Sequence, residues 1–369
     1  MQADQQAAMS ERLPLHDTHE RLGARFAEVD GLFVPLDYGD PAAEHGAVRE
    51  RAGVIDRSER GKIEVTGKDR ATFLHGLVSN DVKGLAPGQG SETALLDVHG
   101  KITALLVIHC LPDRLVLETD RELAEPLASA IERYLFSERA ELEDVTPAWG
   151  ILTVAGPIAR KTVEQALGAV VPDLARWQHV VLPWDGGKAR VVRSEETGEE
   201  GYDLWTPAGA LGRLWERLRD AGARPVGREA WNVLRVEAGV VRYGVDVDAS
   251  TLLLEAPLDE AYSLNKGCYL GQEVIARITY RGHVNRKIVG VRFADARVPP
   301  AGAPILVEGK EVGRITSAVL SPALGVALGL GFLRREHHEP GTPVEVRGGD
   351  EPLSAEVAAL PFYRRTSAA

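Results

Sequence analysis

The last part of this chain leaves the least freedom. From Lys287 to Leu360 the apolar residues fall into short runs: Lys287–Phe293, Pro304–Val307, Val312–Val319, Val326–Phe332, Pro343–Arg347 and Glu356–Leu360, separated by Gly, Pro and Ser. Runs this short read as strands, and the breakers between them supply turns. Such a series is expected to close as a small antiparallel barrel or sandwich, because closure removes exposed sheet edges. The pattern changes near Val284, which divides the chain into regions 1–284 and 285–369.

The region before it mixes periods. Gly61 to Val65 alternates as a strand, and Asp69 can cap a helix with Phe73, Leu74, Leu77 and Val78 on one face. Thr93–Val98 and Lys101–His109 read as strands about a His99-Gly100 turn, with Leu115–Thr119 as a third. Leu123, Leu127, Ile131 and Leu135 then mark an amphipathic helix. This block, about 53–146, reads as one α+β unit inserted between 12–52 and 147–284. Met1 to Glu11 is expected to be a disordered lead-in, and His16 to Asp30 at best a short helix.

At 369 residues one core is too small, so two or three domains are expected. A net charge of −11 argues against a broad nucleic-acid surface, and the only basic cluster is Arg277, Arg281, His283, Arg286 and Lys287. Its reading stays open between a solvated face and a surface for a folate tail or protein partner. No apolar run reaches the ~18 residues of a membrane span, and the polar N-terminus lacks a signal core, so a cytoplasmic protein is expected. The two cysteines, Cys110 and Cys268, form neither a disulfide framework nor a metal set, and none is expected.

Cys268 nonetheless lies in a distinctive stretch, Asn265-Lys266-Gly267-Cys268-Tyr269-Leu270-Gly271-Gln272-Glu273, running into the helical pattern Val274–Ile278. A thiol near a helix start and a lysine is a candidate thiolate; the alternative is a small buried hydrophobe. Tyr269 could be cavity wall or core.

The segment from Lys266 to Glu273 resembles the KGCYxGQE signature of the YgfZ-type folate-binding proteins, relatives of the glycine-cleavage T-protein. Thr197-Gly198-Glu199-Glu200-Gly201-Tyr202-Asp203 is similar to the superfamily's TGExGYE loop, and Leu234–Gly239 with Tyr243-Gly244 to its LRxEAG…YG segment. The resemblance covers nearly the whole chain. It implies an α+β, T-protein-like fold of interleaved α/β subdomains around a central cavity, with a C-terminal antiparallel β-barrel, in a monomer that binds tetrahydrofolate.

Within that resemblance Asp203 would accept the pterin's amidine-like edge, where T-proteins usually carry Glu. Trp231 stands where they tend to have arginine. Tyr243 would stack on the ring or pack in the core. Glu199 and Glu200 are candidates too, although a solvated turn is the plainer expectation for both. Cys268 would be the reactive centre with Lys266 favouring the thiolate, and Gly267, Tyr269 and Gly271 would line the ligand's approach. Ala104 and Leu105 align with the adjacent aspartates of T-proteins, and no neighbouring acid replaces them, since Asp97 lies across the turn. The resemblance therefore implies a folate-binding accessory protein supporting iron–sulfur enzymes, including tRNA-modifying ones, with iron–sulfur client or assembly proteins as partners. The alternatives are a tetrahydrofolate-dependent aminomethyltransferase and a non-catalytic folate-binding scaffold.

Overall fold

The computed structural model describes residues 11–29, 31–349 and 351–365. The C-terminal runs form strands Arg286–Phe293, Pro304–Val307, Lys310–Ser321, Val326–Arg334, Pro343–Arg347 and Pro352–Ala358, closed into one antiparallel barrel. Alternation explains the closure. Val291, Phe293, Ile305, Ile315, Leu333 and Val346 share one core inside it. Ile288, Val319, Leu328 and Phe332 instead pack with Val236 and Ile275 of the preceding region. The last strand starts earlier than the sequence pattern suggests, pairing along Pro343–Arg347, while Leu360 leaves the ladder to pack beside Gly239.

The preceding region holds two larger sheets. Gly61–Thr66, Gly90–Leu96, Ile102–Cys110, Leu115–Thr119 and Glu141–Asp144 form one; Gly53–Asp56, Trp149–Ala155, His179–Trp184, Gly187–Ser194, Gly201–Pro207 and Arg224–Pro225 form the other. The chain leaves the second sheet after Asp56, enters the first at Gly61 and returns at Trp149. Residues 57–60 therefore bridge the sheets. Val107 and Val116 of the first meet Ile151, Trp177, Val192 and Trp205 along the contact.

A buried polar seam ties the barrel to this region. Helix Arg228–Glu237 has an apolar face, Ala230, Trp231 and Leu234, packed on Val48 and Ile55. Its end is polar. The Glu237 carboxylate accepts from His45 at 2.9 Å, Arg49 at 3.2 Å and Ser321 at 2.5 Å. Arg235 donates to Asp246 at 2.5 Å and to Ser317 at 2.7 Å. Removing one partner from such a buried set strands a charge, at a cost of about 3–5 kcal/mol.

Two local expectations change. Residues 16–30 were expected to give at most a short helix; His16–Arg21 is helical, but Arg25–Val29 is a strand, paired with Leu32–Asp37 and held by Phe26 stacked on His16 at 4.3 Å. Of the lead-in expected over 1–11, residues 1–10 lie outside the described residues, while Glu11 pairs with Leu32. Among the described residues no helix is long and apolar enough to cross a membrane.

Candidate active site

The bridge between the sheets carries Arg57 and Arg60 into the space where the subdomains meet. There they line a cavity of about 610 Å³ whose other walls include Glu92, Leu105, Val107, Glu196, Trp231 and Tyr243. Strand periodicity assigns the wall. Leu105 and Val107 share one side of Ile102–Cys110, whereas Ala104 packs in the core with Ile63 and Leu74. Of the two positions aligned with acids in T-proteins, only 105 faces the cavity. Asp97 is spent on its turn, accepting from the backbone N–H groups of His99 and Lys101.

The expectation that no neighbouring acid replaces the missing pair is corrected by Glu92. It lies opposite Val107 in the antiparallel ladder, so it shares the cavity face with Leu105, one diagonal step away. Burial pushes its carboxyl above the ordinary range, with Arg176 opposing. Arg176 bridges Glu92 at 3.1 Å and Glu260 at 2.7 Å. The same Glu92 and Arg176 also line an adjoining outer groove of about 1960 Å³, with Arg193, Tyr363 and Arg365. Glu92 thus stands at the junction of cavity and groove. Sequence reading missed it because a lone Glu in an alternating strand looks like any solvated residue.

The other charges are committed. Arg57 donates to Glu196 at 2.7 Å and lies 4.5 Å from the Trp231 ring centroid. Arg60 donates to Glu118 at 3.0 Å and also pairs with Asp120. Burial opposes ionisation of Glu118, but a hydrogen bond from His109 and the charge of Arg60 hold it well below the usual carboxylate range.

Asp203, expected to receive the pterin, is buried on strand Gly201–Pro207. Its Oδ1 accepts from Thr153 at 2.6 Å and Ser194 at 3.2 Å. Burial, then the charges of Glu118 and Glu196, push its pKa up to about 7. Tyr243 and Trp231 do line the cavity. Glu199 is not in a solvated turn: it is buried, taking Arg49 at 3.1 Å and Arg365 at 2.6 Å. Those pairs fasten its loop to the C-terminal tail. Glu200 accepts from the Tyr202 hydroxyl at 2.6 Å.

The Lys266–Glu273 stretch is placed elsewhere. Cys268 is exposed and lines neither the cavity nor the outer groove. Lys266 Nζ donates to the Val78 carbonyl at 2.6 Å and to that of His75, while His75 Nε2 returns a bond to the Lys266 carbonyl at 2.7 Å. Burial lowers the Lys266 pKa to about 8. Tyr269 is core rather than wall, with Lys266 Nζ 4.8 Å from its ring centroid. Gly267 and Gly271 have φ of +99° and +79°, and a Cβ on Gly271 would lie 2.6 Å from the Asp97 carbonyl oxygen. The glycines admit a close backbone approach, but the approaching group is the 97–100 turn. The arrangement seats helix Gln272–Arg281 on that turn.

Comparison with known proteins fits this geometry. The family model described as the GCVT N-terminal domain matches residues 15–266, and the glycine cleavage T-protein C-terminal barrel domain matches 286–364. An aminomethyltransferase of Rubrobacter xylanophilus is 34% identical, covering 96% of this chain and 94% of its own. One from Saccharopolyspora erythraea is 33% identical, covering 96% and 98%. The solved glycine cleavage system aminomethyltransferase T from Bartonella henselae superposes with a TM-score of 0.89 at 26% identity, covering 96% and 98%. These full-length relatives overturn the expectation of an accessory protein for iron–sulfur enzymes: they carry the name of the transferase that stood as its alternative. By both domain matches, the chain belongs to the glycine-cleavage T-protein family.

Proposed function

We propose that this protein is a tetrahydrofolate-dependent transferase of the aminomethyltransferase type, working in the cavity between its two large sheets. Tetrahydrofolate is the cofactor of the family, and the residues present suit it. Tyr243 and Trp231 offer aromatic faces and Leu105 and Val107 an apolar floor, with the groove cations Arg176, Arg193 and Arg365 on the outer side. Asp203 is the proposed acceptor for an amidine-like edge: it is buried near Arg57 and Glu196 of the lining without being part of that lining, and its carboxylate form is the one that accepts. When bound, the folate supplies the nitrogen that takes up a one-carbon unit.

The observation that carries the proposal is Glu92 beside Leu105. An amine delivered to this cavity needs a carboxylate to hold its positive charge or take its proton. Glu196 and Asp120 are held by Arg57 and Arg60, and Glu92 by Arg176, but Glu92 stands beside Leu105 with its carboxyl pKa raised by burial. That carboxyl stands at the junction of cavity and groove, where a proton could be exchanged. The Arg176 pair sets its position.

The test is purified protein assayed for formation of methylenetetrahydrofolate from an aminomethyl-lipoyl donor. Turnover well above the uncatalysed rate is expected. A second reading rests on two departures that the family resemblance implies: Trp231 in the place of an arginine and Leu105 in that of an acid. That reading, a folate-binding scaffold, predicts a saturable rise in Tm with tetrahydrofolate and no turnover.

A further inference from the structure

The turn that carries Arg57 and Arg60 to the cavity is held by a side chain that the proposed chemistry does not use. Lys62, on strand Gly61–Thr66, is fully buried. It stands opposite Glu118 in the ladder, but Glu118 is taken by Arg60 and His109. Lys62 turns to backbone instead: its Nζ donates to the carbonyl oxygens of Ser58 at 3.0 Å and Arg60 at 2.8 Å. Burial lowers its pKa to about 8, against the charges of Glu118, Glu59 and Asp56. A buried ammonium is costly, and an apolar chain of similar length would fill the space without that cost. What the lysine adds is donors for two carbonyls. The rest of the turn is fixed from its other side. The Arg60 N–H closes on the Arg57 carbonyl at 3.1 Å. Asp56 accepts from the Ser58 N–H at 2.9 Å and hydroxyl at 2.5 Å, and its second oxygen pairs with His19 at 2.9 Å.

We propose that Lys62 is a positioning residue for this cavity: it fixes the backbone of turn 57–60 so that Arg57 meets Glu196 and the Trp231 ring, and Arg60 meets Glu118 and Asp120. It lines neither the cavity nor the outer groove, so it acts through the two arginines. Arg57 is the one that bears on a ligand, because it lies over Trp231 and its charge acts on Asp203. The consequence for folate rests on the transferase reading above. The consequence for the two guanidinium groups does not.

Arginine Nε–H signals in 1H–15N NMR spectra of the folate-free protein test the positioning. The Nε–H of Arg57 donates to Glu59 and that of Arg60 to Glu118, while that of Arg235, bonded to Asn232, serves as reference. Lys62→Met is expected to shift the Arg57 and Arg60 signals, or erase them through fast exchange, and to leave Arg235 in place. Far-UV circular dichroism checks folding, and Lys62→Gln, too short to reach both carbonyls, is the second variant should Lys62→Met not fold. Calorimetric titration with tetrahydrofolate then closes a double-mutant cycle with Arg57→Gln. Lys62→Met should weaken folate about tenfold when Arg57 is present and less than about threefold in the Arg57→Gln background. Unmoved Arg57 and Arg60 signals in a folded Lys62 variant, or equal weakening in both backgrounds, would overturn the proposal. Signals that move as expected in a protein that binds no tetrahydrofolate would uphold the role of Lys62 and count against the transferase reading.

Discussion

The Lys266–Glu273 stretch and the cavity around Leu105 are opposites. The first is conspicuous in sequence and structurally a clamp: its lysine caps carbonyls, its tyrosine is core, and its second glycine makes room for a neighbouring turn. The second is dispersed over the chain, with Arg57, Glu92, Leu105, Glu196 and Trp231 joined by no local motif. The difference teaches that a dense local motif reports tight backbone constraint. Chemistry is reported by what the topology brings together.

The largest effect should come from breaking the clamp. Gly271→Val forces a branched side chain into left-handed backbone, with its Cβ against the Asp97 carbonyl. A loss of about 3 kcal/mol or more is expected, read as a large drop in Tm. Unchanged stability would mean that the motif is not structurally constrained, and the contrast would collapse.

Next comes a pH effect at Asp203, which is buried near Arg57 and Glu196 of the cavity lining. Asp203 has its folded pKa raised to about 7, above the unfolded carboxylate value, so the folded state binds more protons between them. Its contribution to stability is therefore fully present at low pH and falls as pH rises from about 4 towards 7. Folate affinity should move the other way, rising through about pH 7 as the accepting carboxylate forms. Asp203→Asn should flatten both profiles. Persistence of the slopes in that variant would assign them to another group.

The smallest effect concerns the thiols. Cys268 is exposed, whereas Cys110 is buried with its pKa raised by that burial. Iodoacetamide should modify Cys268 first, and Cys110 only on unfolding. Cys268→Ser should shift Tm within ~0.5 kcal/mol of equivalent stability, as expected for a surface substitution. A larger loss would place the thiol inside the clamp.

These cases also show what was readable beforehand. The barrel was legible because short runs between breakers admit few closures, and the observed strands follow them closely. The α+β character of the preceding part was legible for the same reason, as Gly61–Thr66 and Leu115–Thr119 show. The burial of Asp203 followed from its place on a strand, Gly201–Pro207. Glu92 was not legible, because its value lies in the ladder that sets it opposite Val107, and pairing register is a non-local property. Glu199 was misjudged because a Gly-rich acidic loop reads as solvated, and its partners Arg49 and Arg365 are far away in the chain.

The central claim is that the working centre is the cavity and the motif is its support. The most direct measurement compares tetrahydrofolate-dependent one-carbon transfer by Glu92→Gln and Cys268→Ser. The account predicts a fall in kcat of about 10²-fold or more for Glu92→Gln, with folate binding kept, and near wild-type turnover for Cys268→Ser. Full activity in Glu92→Gln together with loss of turnover in Cys268→Ser would contradict it.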